Sequence, residues 1–182
     1  MVTMNQQSGF TLLELMVVLA IVAILAAVGL PFMRDTILNQ RVRTAATDAH
    51  LGLLLARSEA IKRNANVNIE NAGGSWAAGW NVCVPEPGVP ACDSDPDISP
   101  ILSTRQTIED VTVACSTDTD PGTETCPDRL AFNHLGRPDT LLEYRFYVDE
   151  NTRVFTRCVK LSISGVPRVV IDNDFDHDNG CE

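Results

Sequence analysis

Hydrophobic residues are spread along this chain in three different patterns, and each predicts a different kind of element. The first is an almost unbroken apolar run from Gly9 to Met33, GFTLLELMVVLAIVAILAAVGLPFM, in which Glu14 is the single charged residue. From Leu15 to Met33 nothing is charged, a length suited to a ~30 Å hydrocarbon core at ~1.5 Å of helix rise per residue. The run therefore predicts a membrane-spanning helix over 10–33. A cleaved secretory signal fits worse: it wants a basic start and a shorter apolar core, and the first Lys or Arg here is Arg34. A charge at the centre of such a helix costs roughly 2.5–3.5 kcal/mol, and such residues usually have a functional partner. Glu14 lies near one end, which softens that cost without removing it. Pro31 removes one backbone hydrogen bond and clashes with the carbonyl four residues back, as in an ordinary membrane-helix kink.

The second pattern takes steps of mostly three or four through Ile37, Leu38, Val42, Ala45, Ala46, Ala49, Leu53 and Ala56 to Ile61. That is the spacing of one buried helix face. The helix thus continues over 34–63 as an amphipathic element and stops near Arg63, where Lys62 and Arg63 suit the negative end of the dipole and Asn64 accepts a positive φ. Arg57, Glu59 and Lys62 read as charges on its solvated side.

The third pattern is alternation in short runs cut by Gly, Pro, Asp and Asn, which makes 64–182 a β domain. Strands are expected at Val67 to Glu70, Trp80 to Val84, Ile101 to Val113 with a break, Arg129 to Phe132, Leu141 to Val148, Arg153 to Ser164 and Arg168 to Ile171. Leu142, Tyr144, Phe146 and Val148 mark one buried face; Phe155, Val159, Leu161 and Ile163 mark another. Asp149-Glu150-Asn151-Thr152 reads as the hairpin turn between them. These faces need a cover, and the helix stripe supplies it. The fold class expected is α+β: a long N-terminal hydrophobic, then amphipathic, helix packed on an antiparallel β-sheet domain.

Composition narrows the chemistry. Of 182 residues, 24 are acidic and 14 are Lys or Arg, a net charge of −10, which argues against a broad nucleic-acid footprint. All six cysteines lie beyond residue 80, past the apolar run, as in an oxidising compartment. Six cysteines permit fifteen pairings; Cys83 with Cys92, Cys115 with Cys126, and Cys158 with Cys181 are preferred because each closes a loop of turn residues. No CxxC spacing marks a metal site. The tail from Asp172 to Gly180 places Asp174, Asp176 and Asp178 at alternate positions, a calcium candidate. It breaks the EF-hand pattern, which wants glycine sixth and glutamate twelfth; a solvated acidic tail is the default. His50, His134 and His177 sit beside no nucleophile. No enzyme activity and no cofactor are expected.

Gly9-Phe10-Thr11-Leu12-Leu13-Glu14 at the head of an apolar helix resembles the leader junction of type IV pilins and type II secretion pseudopilins. Ala56 to Arg63, followed by Asn64 to Ile69, resembles the GspH/FimT branch, with a weaker echo at Phe132-Asn133-His134-Leu135-Gly136-Arg137. The resemblance implies a prepilin leader over 1–9, with Met4 as an alternative start. It implies cleavage by a prepilin peptidase after Gly9 and methylation of Phe10. Glu14 would neutralise the terminal amine of a neighbouring subunit. Leaders of this kind usually carry Lys or Arg; MVTMNQQSG carries none. The implied protein is a minor pilin or pseudopilin, anchored once in the inner membrane with its domain in the periplasm. Its partners are other pilin subunits, and it enters, at the tip, a type IV pilus or a type II secretion pseudopilus. A DNA-capturing pilin for natural transformation is the alternative. Some FimT-like relatives use a Gly-Arg-x-Arg motif for that purpose. Gly136-Arg137-Pro138-Asp139 lacks the second arginine and Gly165-Val166-Pro167-Arg168 lacks the first, leaving Arg137 and Arg168 as candidate DNA contacts.

Overall fold

The computed structural model describes residues 10–89, 91–92, 95, 97–117, 126–149, 151, 153–173 and 181, side chains at 28 and 30–32 apart. The chain divides into two compact units, Met1–Thr36 and Ile37–Glu182, and one helix, α1 (Leu12–Arg63), contributes to both. In the first unit α1 begins at a cap. Thr11 Oγ1 accepts the Glu14 N–H at 3.2 Å and the Thr11 carbonyl accepts that of Leu15 at 3.1 Å. Thr11 is therefore the N-cap, and Glu14 is the third helical residue, where a carboxylate faces the positive end of the dipole. Large apolar side chains from Leu12 to Leu25 are 45–76% exposed. Among the described residues no helix is long and apolar enough to cross a membrane.

In the second unit the helix stripe Leu38, Val42, Ala45, Ala46, Ala49, Leu53, Ala56 and Ala60 is buried. Ile37 and Ile61, assigned to that stripe by their spacing, are instead 49% and 46% exposed. Most of the buried positions are alanine, so the helix backbone lies close to what it covers. Asn64 has φ 51°, its N–H reaches the Ile61 carbonyl, and the Ala65 N–H reaches that of Ala60. This is a Schellman ending, with asparagine in the left-handed position.

Among the described residues eight strands follow: β1 Val67–Ala72, β2 Ser75–Cys83, β3 Ile101–Arg105, β4 Thr112–Thr117, β5 Arg129–Phe132, β6 Leu142–Tyr147, β7 Arg157–Leu161 and β8 Pro167–Ile171. They form two four-stranded antiparallel sheets, ordered β3-β2-β1-β5 and β4-β6-β7-β8. A single core joins helix and sheets. Trp76 from the first sheet meets Tyr144 of the second edge-on at 4.9 Å between centroids, while its Nε1 donates to the Pro127 carbonyl at 2.8 Å.

The expected α+β class is found, with three local differences. β2 starts at Ser75 rather than Trp80, because Gly73 and Gly74, at φ 63° and 78°, make a two-residue hairpin that pairs Ala72 with Ser75. The expected strand Ile101 to Val113 is two strands in different sheets; the link between them carries the buried Ile108 and Val111 and is held to the helix by Arg41, which pairs with Asp110 and lies 3.9 Å from Glu109. Residues 153–156 do not extend β7. Helical Asn39 takes their backbone instead: its Nδ2 donates to the Arg153 carbonyl at 3.3 Å and its Oδ1 accepts the Phe155 N–H at 3.0 Å. Phe155 and Ile163, expected on the buried face, are 38% and 70% exposed, whereas Val159 and Leu161 are buried. Of the expected turn 149–152, Glu150 and Thr152 lie outside the described residues.

Three disulfides close Cys83–Cys92, Cys115–Cys126 and Cys158–Cys181, with Cα separations of 6.2, 4.9 and 6.0 Å, inside the range such bonds require. Cys158 lies on the face of β7 opposite Val159, yet it is fully buried.

Candidate functional site

Gly9 lies outside the described residues. Phe10 is 76% exposed. Glu14 is exposed, and its carboxylate has no hydrogen bond or ion pair with any described residue. What the N-terminal unit presents is an apolar helix with one unpaired carboxylate three residues past its cap. Such a group is stabilised by the helix dipole and is open to a cation.

Among the described residues, two other carboxylates stand beside disulfides. Glu70 lies near the Cys83 and Cys92 sulfurs, and Glu143 near those of Cys158 and Cys181. Both would read as metal clusters were the sulfurs not already bonded to each other. Each carboxylate instead fixes the second cysteine of its pair: Glu70 accepts the Cys92 N–H at 2.9 Å and Glu143 accepts the Cys181 N–H at 3.1 Å. Lys160 completes the second clamp, at 3.2 Å from Glu143 and donating to the Cys181 carbonyl. Asp174, Asp176 and Asp178 lie outside the described residues.

The residue that sequence reasoning missed is Arg57. Lys62 and Arg63 both pair with Glu59, at 3.1 and 2.7 Å, and the Arg63 bond, then that of Lys62, holds Glu59 below the usual carboxylate range. Arg57 is not part of that solvated cluster. Its Nε donates to the carbonyls of Gly136 at 3.3 Å and Ser164 at 3.2 Å, one in the turn after β5 and the other in the turn before β8. The two turns touch. A Cβ on Gly165 would lie 2.0 Å from the Gly136 oxygen, and both glycines have positive φ, 72° and 77°. The echo Gly136-Arg137 was the available signal: a glycine fixed at such a turn implies something packed against it.

Arg137 and Arg168 are both exposed, but they line different cavities. Arg137 shares one with Arg129 and another with Arg57, whereas Arg168 lies beside Glu143 and Lys160. Arg145 is buried and Lys160 is clamped to Glu143. Arg137 and Arg168, the two candidate DNA contacts, therefore do not share a site.

A helix opening on an apolar stretch and continuing over an antiparallel, disulfide-stapled β domain defines the pilin class of protein. Residues 4–30 match the prokaryotic N-terminal methylation motif, and residues 45–165 match the family of type II transport protein GspH. The chain belongs to the GspH family. It is 42% identical over 74 residues to type II secretion system protein H of Escherichia coli (strain K12), covering 40% of this chain and 44% of that protein. The chain spans less than half the length of the curated relatives it matches. In fold it resembles the type IV minor pilin FimU of Pseudomonas aeruginosa (TM-score 0.53, 20% identity, 79% of this chain and 93% of that one). It also resembles the minor pseudopilin EpsH of Vibrio cholerae (TM-score 0.53, 13% identity, 76% and 99%). Family and fold are those of structural subunits. Membership implies an inner-membrane anchor with a periplasmic domain, and the methylation motif implies a peptidase substrate.

Proposed function

We propose that this chain is a minor subunit built, at the tip, into a type IV pilus or a type II secretion pseudopilus. A prepilin peptidase cuts between Gly9 and Phe10 and methylates Phe10. The processed helix leaves the inner membrane and packs among those of neighbouring pilin subunits. Glu14 then meets a neighbour's terminal amine; two poorly solvated opposite charges relieve each other's desolvation. The observation that carries this reading is the exposed apolar surface of Leu12 to Leu25 inside a methylation motif. Filament packing replaces lipid around such a surface with other apolar helices.

The test is mass spectrometry of the mature N-terminus, with filament incorporation of Glu14→Ala measured against wild type. A methylated Phe10 terminus is expected, with Glu14→Ala retained in membranes and depleted from sheared filaments. An intact leader in assembled material, or equal incorporation, rejects the reading.

A further inference from the structure

The two turns joined by Arg57 border a cavity of about 700 Å³. Leu135, Leu161 and Ile163 line it, and Arg57, Arg137 and the Ser164 turn stand in the same wall. Leu135 and Ile163 are 63% and 70% exposed, large apolar side chains at turn tips where polar ones are the rule. Arg57 commits only Nε to the turn carbonyls. Its terminal nitrogens, and the whole guanidinium of Arg137, donate to no described residue. Each guanidinium thus keeps a forked pair of donors shaped for a carboxylate. The wall is pre-set, because the glycine contact locks the turns together and a Cβ on Gly136 would lie 2.7 Å from Ile61 Cδ1.

We propose that this cavity binds a short peptide segment of a neighbouring filament subunit, one that alternates a branched apolar side chain with a carboxylate. The proposal rests on the assembly reading above. Charge complementarity supports it: on a chain of net charge −10, two guanidiniums with open donors in one cavity form a local exception. The apolar walls choose between anions. A phosphate backbone gains nothing from Leu135 and Ile163, whereas an acidic peptide sets its methyl groups against them while its carboxylate meets Arg137.

The experiment uses the purified full chain in detergent, with fluorescent peptide Leu-Glu-Leu-Asp, its neutral counterpart Leu-Gln-Leu-Asn, its stripped counterpart Gly-Glu-Gly-Asp, and short duplex DNA. The first peptide should bind saturably and the other two at least about tenfold more weakly, the scale of one charge-assisted contact. Arg137→Ala and Ile163→Ser, at exposed positions outside the Arg57 clasp, should each weaken the first peptide by about tenfold with an unchanged melting midpoint. Equal binding of the neutral or stripped peptide, or no saturable binding of the first, overturns the proposal. Tight duplex binding lost in Arg137→Ala also overturns it and makes this a phosphate site. Binding is read on single chains, so its failure leaves filament assembly standing, and failure of the Glu14 and N-terminal tests leaves a positive isotherm standing.

Discussion

Gly165 is the position at which one methyl group does the most damage. Its φ of 77° disfavours any L side chain, and the new Cβ would lie 2.0 Å from a carbonyl oxygen that Arg57 also holds. Gly165→Ala should therefore lower unfolding free energy by more than the ~1 kcal/mol of a left-handed backbone alone, roughly 2–4 kcal/mol. Urea titration of the full chain in detergent reads this directly; a loss of no more than about 1 kcal/mol, the backbone cost alone, would mean the turns do not touch. Tyr144 makes the opposite case. Its hydroxyl is buried beside Trp76 and has no hydrogen-bond partner among the described residues, and burial pushes the phenol well above its ordinary pKa. Removing an unsatisfied polar group is neutral or favourable, so Tyr144→Phe should leave the midpoint unchanged or raise it. A clear drop would show that the hydroxyl has a partner after all. Neither residue announces this in sequence, because a turn glycine and a core tyrosine look like many others until their neighbours across the fold are known.

At the scale of the element, the start of α1 combines two roles that mutation can separate. Thr11-Leu12-Leu13-Glu14 has the spacing of a capping box, and the hydroxyl half of that box is present. Part of the reason for a carboxylate at this position is thus the helix itself. Thr11→Ala removes the cap, at a cost of about 1 kcal/mol in helix stability, but keeps the charge that a neighbour's amine would meet. Glu14→Gln keeps the shape and loses the charge. Filament incorporation should survive the first change and fall in the second, compared in the same shearing assay. If Thr11→Ala falls while Glu14→Gln survives, capping and not charge pairing explains Glu14. The C-terminal end of the same helix was legible residue by residue: Asn64 takes the positive φ that its place after Lys62 and Arg63 predicts.

For the whole molecule, the disulfides decide how much the second sheet depends on covalent help. Cys158–Cys181 encloses a sequence separation of 23, and Glu143 and Lys160 clamp its far end. Replacing both cysteines with serine should cost roughly 3 kcal/mol in the chain-entropy picture, seen as a lower urea midpoint. Charge-clamp variants such as Lys160→Ala should cost far less, because that pair is partly solvated. If Lys160→Ala matched the double cysteine change, the clamp and not the covalent bond would be holding Cys181.

Periodicity and local chemistry by themselves determined the long helix, its end at Asn64, the β character of the remainder and the α+β class. These depend on side chains three or four residues apart, or on turn residues acting on their own backbone. Tertiary structure alone decided that the strands divide into two sheets at the link between β3 and β4. It also decided that Asn39, more than a hundred residues away in sequence, replaces a strand neighbour for residues 153–155, and that Arg57 leaves the solvated face to join two turns. Each of those is a hydrogen bond or a packing contact between distant segments. Alternation reports which face of a strand is apolar, but it does not say which neighbour covers that face or which donor satisfies a backbone carbonyl once the chain has folded back on itself.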